Sequence, residues 1–351
     1  MAVINSIKKV LFIVFVFSMA CLLFLSFIEL YLRIFTTPLI TPGSLKTHIS
    51  RRYEFKPGFH GKTYSADMII NSIGLRDYER SVDQDAYRIA VFGDSVTFGI
   101  GVNSEETFTK LLESKLNRQY KGKPKVQTFN CGIPSYNTAT EYRYVVDLYN
   151  SLKPNILMIE YTAQNDSVLY ADSTVSVNKN IVLRYFKDIL RNLYIYDFFS
   201  AKFYQIIYAF QSHNYSDSSM GVIERTQQQY IDEGQGWEET KQAFKNIKAF
   251  TDKNRVTLIF AVFANNLKLT VNPDDDPMRP VIRKITSALA DAGVEYIILV
   301  DDSFRPYAGK ESALWVKGFD DQHFSKLAHE LAAGSITEFI INNGFLENVY
   351  K

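Results

Sequence analysis

Residues 88–99 read RIAVFGDSVTFG, an apolar run that ends in Gly-Asp-Ser and a polar loop. Ile89 to Phe92 has the apolar character of a central strand in a parallel sheet, and Gly93 lets the chain turn where that strand ends. Open α/β folds bind their ligands beyond the carboxyl ends of the strands, so Ser95 is predicted to stand at the functional edge of a sheet. The alternative is that Gly-Asp-Ser only caps a helix. Chemical partners for Ser95 elsewhere in the chain decide between these two interpretations.

Composition places the chain in the ordinary globular class. Its 351 residues are 46% hydrophobic and 22% charged, enough for one large domain or two small ones. The formal net charge of +1 provides no field that would attract nucleic acid, so no nucleic-acid partner is expected. With two cysteines, five scattered histidines and no Cys/His cluster, the sequence predicts neither a disulfide framework nor a metal site, and no cofactor is expected.

An uncharged apolar run over residues 10–28 follows Lys8 and Lys9. Its length suits a bilayer-spanning helix, which needs about 20 apolar residues. We therefore expect a transmembrane anchor over residues 10–32. The two lysines predict a short cytoplasmic tail over residues 1–9 and an extracytoplasmic catalytic domain on a single-pass membrane protein.

Two other interpretations of the same run stay open. A cleaved signal peptide has a shorter apolar region, of about 7 to 15 residues. A lipoprotein processing site at Cys21 would need an aliphatic residue where Ser18 stands. Arg33, Arg51 and Arg52 beyond the run weaken the predicted orientation.

The rest of the chain alternates strand and helix patterns. Apolar strands are predicted over residues 89–92, 126–129, 156–159, 256–263 and 294–300, with amphipathic helices between them. This alternation predicts a parallel sheet covered on both faces, in a domain over residues 86–345. Residues 33–85 are expected to form a juxtamembrane linker and an N-terminal extension, in which Asn71 to Asp77 is interpreted as a structural turn on the sheet edge.

An insertion over about residues 167–236 interrupts the alternation. Its middle, residues 181–210, is strongly apolar and aromatic at helical spacing, with Lys and Arg between. One interpretation is a lid or a helix pair resting on the membrane interface. We favour packing on the domain's own core, because aromatic stripes at helical spacing usually belong to the core.

A serine nucleophile needs a base, a carboxylate that orients the base, and hydrogen-bond donors for the oxyanion of the tetrahedral intermediate. Near the carboxyl end, residues 318–325 read GFDDQHFS. Asp320 and His323 stand three residues apart just before a predicted helix, where the carboxylate can orient the imidazole. The alternative for His323 is a surface histidine that caps this helix.

Four motifs in this order resemble the blocks of the SGNH hydrolases, also called the GDSL esterase/lipase family. They are Gly93-Asp94-Ser95, Gly132, Asn165-Asp166 and the stretch from Asp320 to His323. The resemblance runs from Tyr87 to the last helix, and the upstream turn at residues 71–77 resembles a prelude in membrane-anchored bacterial members. It implies a flavodoxin-like three-layer α/β/α sandwich with a parallel sheet.

The resemblance also implies roles for single residues. Ser95 would be the nucleophile, His323 the general base and acid, and Asp320 the residue that orients His323. The oxyanion hole would consist of the backbone N–H groups of Ser95 and Gly132 and the side-chain amide of Asn165.

The chain departs from the family pattern at two positions. Ala163 stands where the family usually has Gly, and Phe324 stands where Pro often follows the His. Asp321 competes with Asp320 as the partner of His323, although the family spacing favours Asp320. His329 on the last helix is interpreted as structural.

These features together predict a serine esterase that hydrolyses an acyl ester, with acetyl expected, of a glycan or another extracytoplasmic substrate. An O-acyltransferase acting on an envelope polysaccharide is the first alternative, since only the acceptor of the acyl group differs. A non-catalytic glycan-binding or scaffold protein is the second. The expected partners are an acylated polysaccharide, the membrane through the N-terminal helix, and envelope or exopolysaccharide machinery.

Overall fold

The computed structural model describes residues 2–79, 81–121, 125–168, 179–211, 219–231, 234–265, 268–317 and 323–346. Nine strands lie in these ranges: β1 (Leu45–Thr47), β2 (Tyr53–Phe55), β3 (His60–Thr63), β4 (Ala66–Ile69), β5 (Tyr87–Gly93), β6 (Val126–Gly132), β7 (Ile156–Thr162), β8 (Thr257–Phe263) and β9 (Glu295–Ile298). The same ranges contain ten α-helices: α1 (Ala2–Phe35), α2 (Ser95–Phe98), α3 (Phe108–Gln119), α4 (Thr138–Leu152), α5 (Ile181–Leu190), α6 (Tyr194–Gln211), α7 (Ser219–Ile231), α8 (Gln235–Asn254), α9 (Arg279–Asp291) and α10 (Lys326–Asn342).

A parallel sheet of five strands forms the centre of the domain, in the order β6-β5-β7-β8-β9. Residues of β5, β6 and β7 are almost all buried, which explains why β5 and β7 appear in the sequence as largely apolar runs. Strand β6 also contains the buried polar residues Gln127, Thr128 and Asn130. The five predicted strands and the flavodoxin-like order are confirmed. The last strand is shorter than predicted, because a π-helical segment begins at Val300.

Helices cover both faces of this sheet. The chain leaves β5 towards β6 in one direction and leaves β6 towards β7 in the other, and right-handed crossovers therefore put α3 and α4 on opposite faces. Helix α10 packs beside α3, and α8 packs beside α4. The predicted three-layer α/β/α arrangement follows from these contacts.

The segment before the sheet folds onto the domain as two antiparallel hairpins, β1–β2 and β3–β4. After them, Asn71 Oδ1 accepts the N–H of Leu75 at 2.9 Å, which forms a tight turn. Asp77 then accepts the N–H of Asn130 on the edge strand β6 and pairs with Lys110 at 2.7 Å. The predicted turn on the sheet edge is thus confirmed.

The insertion divides into two parts with different packing. Helix α7 packs on the domain core through Ile223 and Tyr230, which are fully buried. The described apolar side chains of α5 and α6 remain largely exposed, for example Phe186 at 59% and Phe203 at 61%. The prediction that the apolar stretch packs into the core is therefore wrong for α5 and α6. Helical spacing marks an apolar face but does not say what covers it.

Helix α1 is long and apolar enough to cross a membrane, and most of its described apolar side chains are exposed, with Leu32 near its end buried. Polar contacts with the domain begin only near its carboxyl end. There Glu29 accepts the N–H groups of Tyr194 and Ile195, and Arg33 donates to the carbonyl of Asn192. These bonds join the end of α1 to the first turn of α6.

Candidate active site

The Gly-Asp-Ser turn connects the central strand β5 directly to the short helix α2. A Cβ on Gly93 would lie 2.3 Å from Thr97 Oγ1 and 2.5 Å from Glu160 Oε2, so only glycine fits at this position. Asp94 caps α2, because its Oδ1 accepts the N–H of Val96 at 2.7 Å. Ser95 is consequently the first residue of α2, half-buried at the carboxyl edge of the sheet.

Ser95 lies in the wall of a cavity of about 290 Å³ that also contains His323 and Asn165. Its described lining consists of Leu39, Asp94, Ser95, Ile100, Pro134, Ser135, Gln164, Asn165, Val222, Asn265 and His323. The fold thus brings together three residues that are far apart in sequence. Asp320 and its competitor Asp321 lie outside the described residues.

His323 is held in place by contacts of its backbone and its ring, and by the packing of the residue that follows it. Its carbonyl accepts the N–H of Val316 at 2.9 Å, and its ring packs edge-on against Tyr64. The next residue, Phe324, is buried and stacks on Phe304 with ring centroids 5.1 Å apart. Phe324 therefore anchors the His323 segment to the core.

Asn165 reaches the same cavity from the turn after β7. Its side-chain nitrogen donates to Asp94 Oδ2 at 2.7 Å and to the carbonyl of Tyr136 at 2.8 Å. Both hydrogens of the amide therefore have acceptors within the protein, and the first of these bonds ties Asn165 to the residue that caps α2. A substrate oxyanion would have to share one of these hydrogens.

Gly132 does not occupy the position that the family resemblance implied. Its N–H donates to Asn130 Oδ1 at 3.1 Å, and it is not among the described residues that line the cavity. A Cβ here would lie 2.2 Å from the nitrogen of Phe98, so Gly132 lets α2 pack against the end of β6. Three residues further on, Ser135 lines the cavity and has a left-handed backbone with φ of +59°. A left-handed backbone is uncommon at a non-glycine residue. It marks Ser135 as a candidate site residue that the sequence motifs did not indicate.

Buried carboxyl groups lie directly beneath the turn. Glu160 Oε2 accepts the N–H of Asp94 at 3.2 Å, and Glu160 Oε1 accepts the hydroxyl of Thr162 at 2.6 Å. Burial, reinforced by the charges of Asp94 and Asp166, raises the pKa of Glu160 well above its ordinary range. Burial also raises the pKa of Asp94, but the hydrogen bond from Val96 and the charge of His323 oppose this. Burial thus disfavours a negative charge on each of these two neighbouring carboxyl groups.

Glu160 was visible in the sequence as the single charged residue of the strand ILMIEYT, although no role followed from that alone. Among the residues that the structure describes, no group of three His, Cys, Asp or Glu side chains could hold a metal ion.

Arg76, from the N-terminal extension, supports the other end of α2. Its Nη1 donates to the carbonyls of Phe98 and Gly99 at 2.6 and 2.5 Å, and its Nη2 donates to the carbonyl of Val102 at 2.5 Å. Burial lowers the pKa of Arg76 to about 9, and nearby Glu105 acts in the opposite direction. A cation at the carboxyl end of a helix is favourable, so Arg76 fixes the helix that carries Ser95.

His329 on α10 takes no part in the cavity. Its Nδ1 accepts the N–H of Phe108 at 3.2 Å, and its ring stacks on the Phe108 ring. Burial, with a smaller effect of Arg76, lowers the pKa of His329 to about 3. His329 is thus a neutral structural residue.

The fold and this cavity define an α/β/α protein with a serine and a histidine at the carboxyl edge of its sheet. No family model and no curated protein matches the chain. Among solved structures, it is similar to the acetyl xylan esterase AlAXEase, with a TM-score of 0.43 and 12% identity over 72% of this chain and 99% of that one.

Two further structures show the same degree of similarity. The psychrotrophic esterase EstA from Pseudoalteromonas sp. has a TM-score of 0.40 and 13% identity, over 73% of this chain and 97% of that one. A lipolytic protein assigned to the G-D-S-L family, from Desulfitobacterium hafniense DCB-2, has a TM-score of 0.41 and 14% identity, over 72% and 98%. The likeness concerns the fold, and the chemistry has to be argued from the residues of this chain.

Proposed function

We propose that the protein is a serine esterase of the SGNH type that removes a small acyl group, most simply acetyl, from a glycan. The observation that carries this proposal is the shared cavity of Ser95, His323 and Asn165. Ser95 begins a helix, and together with His323 it lines a cavity of about 290 Å³, which suits a small acyl group and part of a sugar.

The reaction would proceed in two halves. Ser95 Oγ attacks the ester carbonyl carbon while His323 takes the hydroxyl proton, and the resulting tetrahedral intermediate releases the sugar alcohol, which receives the proton from His323. Water then attacks the acyl-enzyme, His323 takes one of its protons, and the carboxylic acid leaves as Ser95 recovers its hydrogen. Asp320 remains our proposed partner for the second nitrogen of His323.

The oxyanion hole would consist of backbone and amide donors near Ser95. We keep the Ser95 N–H and the Asn165 amide in this role. For the third donor we propose the backbone N–H of Ser135 in place of Gly132, since Ser135 lines the cavity and Gly132 donates to Asn130. Neutral donors of this kind stabilise developing negative charge without carrying a fixed charge themselves.

A glycan alcohol is supported by the polar side of the cavity. Gln164 and Asn265 line it beside Asn165. Asn265 Oδ1 is buried and has no hydrogen-bond partner among the described residues, so it is placed to accept a hydrogen bond from a sugar hydroxyl. Leu39, Ile100 and Val222 supply apolar walls for the acyl methyl group.

Turnover of p-nitrophenyl acetate by the full chain in detergent tests this proposal. Ser95→Ala and His323→Ala are each expected to lower kcat by several orders of magnitude, whereas Ser287→Ala on the exposed side of α9 serves as the matched serine control. Unchanged turnover in Ser95→Ala would refute the nucleophile assignment. A burst of one equivalent of nitrophenol that then stalls until an oligosaccharide is added would show that the acceptor is a sugar instead of water.

We also propose that α1 anchors the domain in a membrane, with residues 1–9 cytoplasmic and the cavity on the extracytoplasmic side. The exposed apolar surface of α1 and the flanking Lys8 and Lys9 support this orientation. Leu39 lines the cavity only four residues after α1 ends at Phe35, a span of about 14 Å at most. Protease protection in oriented vesicles tests the orientation, and a domain digested only from the cytoplasmic side would contradict it.

A further inference from the structure

A second cavity, of about 280 Å³, lies beside the first. The N-terminal extension, the Pro134–Ser135 turn and helices α5 and α6 form its walls. Its described lining consists of Leu39, Ile40, Thr41, Pro42, Gly43, Ser44, Leu45, Arg52, Tyr53, Pro134, Ser135, Lys187, Arg191, Tyr196, Asp197 and Ser200. Leu39, Pro134 and Ser135 line both cavities, so a ligand that extends from Ser95 past this turn enters the second one.

Positive charge predominates in the second cavity. Its described lining contains three cations, Arg52, Lys187 and Arg191, and one acidic residue, Asp197. Burial lowers the pKa of Lys187, and the positive charges of Arg191 and Arg52 act in the same direction. Burial also raises the pKa of Asp197. The three like charges repel one another, and an anion between them would relieve this repulsion.

The positions of two of these cations connect the cluster to the active site. Arg191 lies over the ring of Tyr53, 5.3 Å from its centroid, and its Nη1 is buried with no hydrogen-bond partner among the described residues. Tyr53 donates to the carbonyl of Pro134 at 2.5 Å, and Arg52 donates to the carbonyl of Ser135 at 3.1 Å. The cationic groups are thus fixed to the turn that both cavities share.

We infer that the second cavity binds an anionic group, a carboxylate or a phosphate, of the same glycan whose ester is attacked at Ser95. This inference rests on the proposed esterase function and names its substrate class, a negatively charged acylated polysaccharide. Arg191 Nη1 would supply a hydrogen bond that no described residue accepts, and Lys187 would supply a second positive charge.

The test compares two polymers, acetylated polygalacturonate, which is anionic, and acetylated xylan, which is neutral. With the full chain in detergent, kcat/KM is expected to favour the anionic polymer, and added NaCl should reduce this preference. Arg191→Gln and Lys187→Gln should each lower the ratio of anionic to neutral kcat/KM about tenfold. Arg283→Gln, an exposed arginine of α9 paired with Asp274, is the matched control and should leave the ratio unchanged.

The outcomes separate this inference from the esterase proposal. If both polymers are hydrolysed through Ser95 and neither variant changes the ratio, the anionic subsite is refuted and the esterase stands. If no ester is hydrolysed, binding of oligogalacturonate or inorganic polyphosphate to the Ser95→Ala chain is measured by calorimetry. Binding that Arg191→Gln abolishes supports the subsite and shows which anion it prefers, while failure to bind either anion overturns it.

A separate observation concerns the exposed surface of the insertion, which we call the α5–α6 apolar face. Its described members are Ile181, Val182, Tyr185, Phe186, Ile189, Phe198, Phe199 and Phe203, each between 41% and 72% exposed. Two hydrogen bonds join the carboxyl end of α1 to the start of α6. Glu29 Oε2 accepts the N–H of Ile195 at 2.9 Å, and Arg33 donates to the carbonyl of Asn192 at 3.1 Å. The face therefore begins where α1 meets the domain.

We infer that the α5–α6 apolar face lies in the interfacial layer of the lipid bilayer that α1 enters. Aromatic and aliphatic side chains with intervening Lys and Arg are typical of helices at this depth. Exposure of these eight apolar side chains to water would be unfavourable. Because the face begins where α1 meets the domain, lipid is the surface that covers it.

Fluorescence quenching by doxyl-labelled lipids tests this second inference. The full chain carrying Cys21→Ser is labelled with a fluorophore at Phe186→Cys or Phe199→Cys and reconstituted in nanodiscs with one chain each. Both labels should be quenched several-fold more than a label at Val271→Cys, the matched control, whose side chain is 90% exposed on a loop. Equal quenching at the three positions overturns the inference. Protection of the labels at positions 186 and 199 from water that appears only when two chains share one nanodisc also overturns it.

Discussion

Arg76 offers a quantitative test of how the N-terminal extension supports the nucleophile. Its guanidinium donates to four carbonyls. They belong to Phe98 at the end of α2, to Gly99 and Val102 just after α2, and to Asp67 in the β3–β4 hairpin. Arg76→Met removes all four bonds and keeps most of the side-chain volume. Arg76→Lys keeps the charge and up to three donors.

The size of the effect follows from which carbonyls lose their donor. Gly99 keeps a bond from the N–H of Val102, so the carbonyls of Phe98 and Val102 suffer most. A buried acceptor left without a donor costs about 1–3 kcal/mol, so Arg76→Met should lower the free energy of unfolding by about 2–6 kcal/mol. Arg76→Lys should lower it by about half as much. Because domains are stable by about 5–15 kcal/mol, the lysine variant should remain folded.

Urea unfolding of the full chain in detergent, together with p-nitrophenyl acetate kinetics, measures both effects. Loss of kcat with little change in KM is expected for Arg76→Lys, because α2 and Ser95 move together. The matched control is Arg88→Lys, since Arg88 also donates to carbonyls, among them those of Lys153 and Gln84, but at the opposite end of β5. If Arg76→Met stays within about 0.5 kcal/mol of wild type, the bonding argument is wrong.

Three further changes have defined outcomes. The pKa of His329 is about 3 in the folded protein, and its ordinary value is 6.5, so the unfolded state binds more protons between these two pH values. The free energy of unfolding therefore decreases as pH falls through this window, by about 1.4 kcal/mol per pH unit. His329→Gln should flatten this slope in urea titrations at pH 4 to 7, with exposed His60→Gln as control, and an unchanged slope would contradict a buried neutral His329. Asn165→Ala should lower kcat by about 10² to 10³, as loss of one oxyanion donor does, and full activity would exclude it from the oxyanion hole. Gly132→Ala should destabilise the domain by at least about 1–3 kcal/mol, because the added Cβ meets the backbone of Phe98. Gly334→Ala, in open space on α10, should be neutral or stabilising, and equal losses in the two variants would refute the close-approach argument.

Local sequence patterns were sufficient to locate β5, β6, β7 and β8 of the central sheet, whereas β9 is shorter than predicted and the strands of the two hairpins were not predicted. Strands β5 and β7 are buried on both faces, and burial on both faces favours the apolar runs from which they were predicted. Gly93, Ser95 and Asn165 follow directly from these strand ends. His323 was found through its spacing before α10, and the structure places it in the same cavity as Ser95.

The contacts that support the site depend on residues distant in sequence, and they required the tertiary structure. Arg76 reaches α2, Glu160 lies under Asp94, and Gly132 turns its N–H to Asn130 instead of the cavity. The spacing of the motif does not tell whether Gly132 or Ser135 lies at the cavity, because that depends on how α2 packs against β6.

For the apolar insertion, too, one feature was determined by the sequence and another only by the tertiary structure. The sequence by itself determined that residues 181–210 form helices with an apolar face, since side-chain periodicity is a local property. Only the tertiary structure decided that α7 covers the core while the described apolar side chains of α5 and α6 remain largely exposed. Burial is a property of the whole assembly of elements, and the core has room for only part of the apolar surface that the sequence offers.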